Sequence, residues 1–370
     1  MNRLSSIILV LFGFVLAAQA NPFPSKDYNL EVEVLSSELD TPWALAFLPD
    51  RSILITERDS NLRLFKDGTL SKPLRGVPKV WAQGQGGLLD VAIDPNFTEN
   101  RWVYLSFAEA GKGGAGTAVA RGKLKGLRLE NTEVIYRQNI KTRAGRHFGS
   151  RLVFGRDGTL FVTHGDRAKR PRSQDPFDHA GSIVCINPDG SIPKDNPFVD
   201  GKQALPEIWS IGHRNAQGIT IHPETGDIWT SEHGARGGDE INQPKAGKNY
   251  GWPIISYGRH YSGGKIGIGV ARDGLEQPQF YWDPSIAPSS ILFYQGDLFP
   301  KWKGDIFVGA LALQLISRLS EDNGQVIETE RLLEGEVGRV RDIAEGPDGA
   351  LYLLTNADSG YLLRVTPTQP

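Results

Sequence analysis

The sequence predicts an all-β chain folded as a six-bladed β-propeller in a single domain. Three observations carry that expectation. A phrase made of a buried strand, a Pro/Asp/Gly turn and a second buried strand recurs in six copies. The copies are separated by roughly 45 to 75 residues, the order of length of a four-stranded blade with variable loops. The composition, with 43 glycines, 23 prolines and 9% aromatics, suits a turn-rich β protein, and no run sustains helical periodicity. A sandwich of the same strands would leave the recurrence unexplained.

Residues 1–20 read as a cleaved signal peptide rather than part of the fold. Arg3 supplies a positive start, residues 7–16 an apolar run, and Ala18-Gln19-Ala20 a small-residue cleavage site. The run falls short of a membrane span and no comparable one follows, so the expectation is export to the periplasm of a mature domain, 21–370. Loss of Arg3 takes the formal net charge from −2 to −3. That near-balance gives no electrostatic case for nucleic acid or an anionic membrane as partner. The single cysteine, Cys185, excludes an internal disulfide, and its apolar neighbours 182–186 suggest a buried, inert thiol.

The copies follow in order. Trp43-Ala-Leu-Ala-Phe leads into Ser52-Ile-Leu-Ile-Thr-Glu, and Leu88-Leu-Asp-Val-Ala-Ile into Trp102-Val-Tyr-Leu-Ser-Phe. Arg151-Leu-Val-Phe precedes Leu160-Phe-Val-Thr, and Gly218-Ile-Thr-Ile precedes Asp227-Ile-Trp-Thr-Ser. Ile291-Leu-Phe-Tyr is followed by Asp305-Ile-Phe-Val-Gly, and Val340-Arg-Asp-Ile by Leu351-Tyr-Leu-Leu-Thr. Residues 29–35 alternate cleanly ahead of the first copy and should pair with 361–365 to close the ring, because an open ring exposes blade edges.

In a propeller the innermost strand of each blade lines a central channel, so polar residues just before each first strand should converge. That position gives Gln85, then His147 and Arg151, then Arg214, Asn215 and Gln217, and finally Arg339 and Arg341. The densest stretch is 210–242, where Arg, Asn, Gln, His and glycines crowd both ends of a hairpin. Such a cluster of arginines around one mouth is costly unless an anion sits there, and the planar guanidinium fork suits carboxylates and phosphates. For any one arginine the competing reading is a salt bridge between blades. The basic run 167–172 reads as a solvated loop near the mouth.

Several strings together carry a resemblance. They are Gly-Gln-Gly-Gly-Leu-Leu (84–89), His-x-x-x-Arg-Leu (147–152), Gly-His-Arg-Asn-x-Gln-Gly (212–218), Glu-His-Gly-x-x-Gly-Gly-Asp-Glu-Ile-Asn (232–242), Lys-Asn-Tyr-Gly-Trp-Pro (248–253) and Arg-x-Arg-Asp (339–342). In this order they resemble the soluble quinoprotein sugar dehydrogenases, most closely the periplasmic aldose sugar dehydrogenase branch, from about Asp40 to the C-terminus. The resemblance implies a six-bladed propeller that uses pyrroloquinoline quinone (PQQ) and Ca2+ to oxidise aldoses to lactones. It implies His147 as general base, with Gln85, Arg214, Asn215, Tyr261, Arg339 and Arg341 at the cofactor. Gly234 and Ala235 would hold the cofactor's calcium through main-chain carbonyls, and Glu240 and Tyr250 a second, structural calcium.

Elementary chemistry is consistent with these roles. PQQ is a flat tricarboxylate that an arginine-rich channel would suit, calcium takes hard oxygen ligands, and a histidine titrates where a general base is useful. The chain departs from the glucose-oxidising branch in two places. Arg146 replaces an acidic residue before the histidine, and 309–314 lacks a cofactor-binding lysine. Electrons would leave to an external acceptor such as a quinone, cytochrome or dye, since no haem-attachment motif is present. The alternatives are a calcium-dependent lactonase or esterase, with its metal held on the axis by Glu, Asn and Asp, and a non-catalytic binding platform. The preferred sugar, and whether the chain is a monomer or homodimer, stay open.

Overall fold

Each of the six repeated phrases forms the two inner strands of one antiparallel sheet, and the six sheets are the blades. The inner pairs are Pro42–Phe47 with Ile53–Glu57 in blade I, Leu88–Ile93 with Trp102–Gly111 in II, and Gly149–Phe154 with Leu160–His164 in III. Ala216–Ile221 with Ile228–Glu232 make IV, Pro288–Phe293 with Ile306–Ala310 make V, and Val340–Glu345 with Leu351–Thr355 make VI. The computed structural model describes residues 22–322 and 324–368, so the expected signal peptide lies outside the described residues. Innermost strands of successive blades touch in the order I to VI and back to I, which makes the six-bladed propeller expected from the repeat.

The ring closes as anticipated. Asn29–Leu39 pairs antiparallel with Gly360–Pro367, from Leu30 opposite Pro367 to Leu39 opposite Gly360 with two register shifts after Val34, so blade VI is built from both ends of the described chain. The core is a set of wedges between neighbouring blades. Phe161, Ile183 and Cys185 of blade III meet Ile219 and Ile228 of IV, for example, and Trp229 and Ile241 of IV meet Ile291 and Ile306 of V. Cys185 is the expected inert thiol, with burial pushing it up to about 12.

One local irregularity recurs in every blade. Each innermost strand shifts register within three residues of its start, at Trp43, Leu89-Asp90, Ser150-Arg151, Gln217, Ser289 and Arg341. A bulge leaves an N–H without its ladder partner and re-aims a side chain. In blades I to III a hydroxyl on the second strand takes that N–H: Thr56 from Ala44, Ser106 from Asp90 and Thr163 from Arg151, at 3.0, 2.9 and 3.0 Å. The same hydroxyls donate onward to the next blade, to the carbonyls of Leu89, Ser150 and Ala216. The Thr or Ser within each of these three second strands is therefore a blade-to-blade staple.

Arg151 corrects the sequence expectation that it belongs to an anion-binding channel. It is buried, and its guanidinium reaches every other blade. It pairs with Asp90 of II at 3.3 Å and Asp342 of VI at 2.9 Å, and donates to the carbonyls of Gln217, Ser289 and Arg341. Its carbon Cζ lies 4.2 Å from the centre of the Trp43 ring of blade I. For this arginine the salt-bridge reading is the right one. Arg151→Met should cost at least about 3 kcal/mol of unfolding free energy, because it strands two buried carboxylates. The midpoint and slope of urea unfolding check this.

Candidate functional site

An inner strand starts, and its antiparallel neighbour ends, at the same end of a blade. The residues before one and after the other therefore meet at one mouth. There they line a cavity of about 230 Å³. Before the inner strands come Gln85, Asn215 and Arg339, and from the bulges Trp43, Gln217 and Arg341. After the second strands come Arg58, His233 and Asn356.

Arg341 is the electrostatic centre of this cavity. It is 8% exposed, and its guanidinium donates only to neutral oxygens, Asn356 Oδ1 at 3.1 Å and Gln217 Oε1 at 3.1 Å. Burial, together with Arg151, Arg339 and Arg58, pushes it down to about 9. No carboxylate lines the cavity, and the buried Nε2 of His233 has no partner. Burial and the charges of Arg214 and Arg341 hold His233 well below the usual imidazole range. Cations without acids, beside an unfilled donor or acceptor, fit a polyanionic guest.

His147 stands beside this cavity, next to the lining residues Phe148 and Gly149, with 14% of its side chain exposed. Its Nδ1 is 2.7 Å from Asp166 Oδ1, and its N–H donates to Gln85 Oε1 at 2.7 Å. Its backbone φ of 56° is strained for a residue with a side chain, a feature that clusters at functional sites. Asp166 also receives the Trp252 indole N–H at 2.9 Å and the Ala168 N–H. Burial opposes ionisation of Asp166, but those hydrogen bonds outweigh it and its carboxyl is held low. Burial, opposed by Asp166 but joined by Arg214 and Arg146, lowers His147 below the usual imidazole range.

The basic run 167–172 is only in part the solvated loop expected: Ala168, Lys169 and Pro171 are exposed, but its arginines are not. Arg167 is fully buried, its Cζ 3.4 Å from the centre of the Phe148 ring, and it donates to the carbonyls of Arg146 and Ala144. Arg172 pairs with Asp178 at 2.6 Å. Turn carbonyls and an aromatic face replace water around Arg167, which thereby braces the segment carrying His147.

Arg214 lies at a second, narrower crevice, with Glu232, Gly234, Gly238, Glu240 and Tyr250. Burial and the neighbouring Glu232 raise the Glu240 carboxyl. Glu232 takes the Arg214 N–H and lies 3.0 Å from His213 Nδ1, Asn242 donates to Glu240, and Asn242 Oδ1 is buried without a partner. Two carboxylates, an amide oxygen and glycine-rich main chain form a hard oxygen set that fits calcium. The structure brings Gly234, Glu240 and Tyr250 to this one crevice, while Ala235 is buried against Trp252 and Ile266. The Tyr250 hydroxyl is already used, donating to the Gln243 carbonyl and accepting the Lys245 N–H. Tyr261 is 70% exposed on a loop and is not among the residues lining the cavity.

Fold and mouth together define a six-bladed propeller with a cation-lined cavity beside a histidine–aspartate pair, and comparison with known proteins makes the family definite. The chain belongs to the Glucose / Sorbosone dehydrogenase family, whose model matches residues 39–364. It is 45% identical to the aldose sugar dehydrogenase YliI of Escherichia coli K12, over 99% of this chain and 100% of the relative. The crystal structure of the E. coli soluble aldose sugar dehydrogenase in its apo-form superposes with a TM-score of 0.89 at 46% identity, covering 92% of this chain and 100% of that one. A PQQ-bound aldose sugar dehydrogenase from Streptomyces coelicolor gives a TM-score of 0.75 at 26% identity, covering 94% and 99%.

Arg341 and Arg151 occupy equivalent bulges yet should respond oppositely to mutation. Arg341 has no acid to strand, so Arg341→Met in the ligand-free protein should change unfolding free energy by less than about 1 kcal/mol. Urea unfolding of the two variants side by side tests the contrast.

Proposed function

We propose that the chain is an exported, PQQ- and calcium-dependent dehydrogenase that oxidises aldoses at the anomeric carbon to lactones and passes the electrons to an external acceptor. The observation that carries this reading is a buried arginine without an acid, Arg341, in a cavity flanked by a histidine–aspartate pair. The identity to a whole-length aldose sugar dehydrogenase and the likeness to a PQQ-bound one support it. A lactonase with its metal on the axis is disfavoured, because the axial acids Asp90 and Asp342 are already paired with Arg151.

Arg58, Arg339 and Arg341 would hold the cofactor's carboxylates, with Gln85, Asn215 and Gln217 lining the same cavity. Tyr261 could reach it only by movement of its exposed loop. Bound there, the quinone supplies hydride acceptance, which no side chain can. Asp166 fixes the imidazole with the proton on Nδ1, leaving the Nε2 lone pair to take the proton of the anomeric hydroxyl. Arg214, whose charge lowers His147, favours the neutral ring. Calcium would lie in the crevice of Glu232, Gly234 and Glu240, close to Arg214.

The general-base role is tested with single-turnover reduction of bound PQQ by aldose. His147→Ala should bind cofactor yet react about 10²- to 10⁴-fold more slowly per bound PQQ. Wild-type turnover should rise with pH through an ionisation below 6.5 and then level, because only neutral imidazole accepts the proton and the site lowers its pKa. A variant that keeps the wild-type rate, or a rate that falls with rising pH across that range, contradicts the assignment.

Calcium should stabilise the protein by linkage, so a chelator should lower the Tm of the wild type. Glu240→Gln should blunt that response. Thermal melts with and without chelator decide, and equal responses would remove Glu240 from the site.

A further inference from the structure

We propose that the mouth also docks an acidic one-electron carrier protein, seated by an arc of unpaired cations over blades II to IV. The proposal rests on the dehydrogenase reading and extends it to the electron acceptor.

Four segments form the arc. Residues 139–147 lead into blade III, 165–172 leave its second strand, and 234–238 leave the second strand of blade IV. Residues 256–265 are tied to 234–238 by reciprocal N–H···O=C bonds between Arg236 and Arg259 at 3.1 and 3.0 Å. Across these segments the only acid is Asp166, buried under His147. Arg143, Arg146, Lys169, Arg236, Arg259 and Lys265 are exposed and make no salt bridge among the described residues. Some exposed cations elsewhere are matched, Lys66 with Asp50 at 2.8 Å, Lys303 with Asp297 at 2.9 Å and Lys202 with Asp200 at 3.4 Å. Others such as Arg51, Lys112 and Lys194 are scattered singly and make no salt bridge among the described residues.

The arc also bears an internal cost. Arg236 lies directly opposite Arg259, and Arg259 opposite Lys265. Like charges in cross-strand positions destabilise a pairing. The neighbouring Arg170 finds only the neutral acceptor His260 Nδ1, at 2.9 Å. Acids on mouth loops lie mostly on the other side of the ring, at Asp59, Glu334, Glu336 and Asp358, with Asp175 and Asp283 at the edges of the arc. In a chain of formal net charge −2, this makes a directed field rather than general basicity.

The spread of the cations identifies the guest as macromolecular. With the cofactor in the 230 Å³ cavity, a monosaccharide at its opening is too small to meet four separate outer loops at once. Each aldose oxidised to lactone releases two electrons and two protons. Two carrier molecules would take one electron each, and the protons would pass to solvent. With one cysteine, the sequence has no haem-attachment motif to carry the electrons within the chain. The carrier must therefore come to the mouth, where complementary charge raises the encounter rate.

The test uses PQQ- and calcium-loaded protein, an aldose, and two matched probes: a lysine-rich cytochrome c and the same cytochrome with its lysines succinylated. At about 0.01 M salt, kcat/KM for the succinylated form should exceed that for the native form by at least about 10-fold. The advantage should shrink by about 0.15 M, as the Debye length falls from ~30 to ~8 Å. The triple variant Arg143→Glu, Lys169→Glu, Lys265→Glu should lose that advantage while reducing a neutral dye at the wild-type rate. Sedimentation should show salt-sensitive binding of the succinylated cytochrome to cofactor-free wild type but not to the variant. Equal rates with both cytochromes, preference for the native one, or an unaffected variant overturns the proposal. Failure of aldose to reduce the dye instead defeats the dehydrogenase reading, and the sedimentation arm still decides whether the arc binds an acidic carrier.

Discussion

The ring depends on a single guanidinium at its axis. Arg151 takes carboxylates from blades II and VI, carbonyls from IV, V and VI, and the ring face of Trp43 from I. A buried ion triad is weak evidence of net stability, since desolvation offsets most of the attraction. What it fixes here is geometry. The fork is rigid and its donors are few, so it is satisfied only when the bulges of the blades around it arrive at one radius. The acids extend this constraint outward: Asp90 accepts the Leu152 N–H of blade III, and Asp342 accepts the Leu45 N–H of blade I. Blade number and register are thus tied to one side chain.

The same bulge that builds the floor builds the site above it. It turns Gln217 and Arg341 into the cavity while Arg151 stays beneath, so one backbone device yields a structural arginine and a ligand-seeking one. The difference lies in their partners. Arg151 has two acids, whereas Arg341 has two amide oxygens and three neighbouring arginines that push its pKa down. An apo protein that tolerates this arrangement gives up stability at the place where an anion would restore it.

The fold was legible because its signal is periodic. A strand–turn–strand phrase repeated six times leaves few alternatives, and the alternating segment 29–35 predicted its own partner. Half of the mouth was legible on the same grounds, through Gln85, His147, Asn215, Arg339 and Arg341. The other half was not. Arg58, Asp166, His233 and Asn356 follow the second strands, where loops differ in length and share no phrase. Antiparallel pairing nonetheless obliges both ends to meet, and that rule could have found them. Partner choice was the part sequence could not supply. Arg151 reads like the ligand-binding arginines and Arg167 like part of a solvated loop until distant acids, carbonyls and the Phe148 ring are seen around them.

Cavity and histidine share one electrostatic system, and this links binding to chemistry. His147 is lowered first by burial and then by Arg214 and Arg146, while Asp166 opposes them. Arg214, at the neighbouring crevice, and Arg146, just ahead of the histidine, therefore favour the neutral base before a guest arrives. An anion in the cavity cancels part of their field and lets Asp166 act with less opposition, so the imidazole becomes more basic as the guest binds. The ring thus passes from a neutral, ready state to a stronger base at the step where a hydroxyl proton must be taken. A simple histidine–carboxylate pair without the surrounding arginines would reverse the order, since its raised pKa would leave it partly protonated at the outset. On this account Arg214 and Arg146 contribute to proton transfer without touching the proton, and they do so because each precedes an inner strand and is thereby brought to the same mouth.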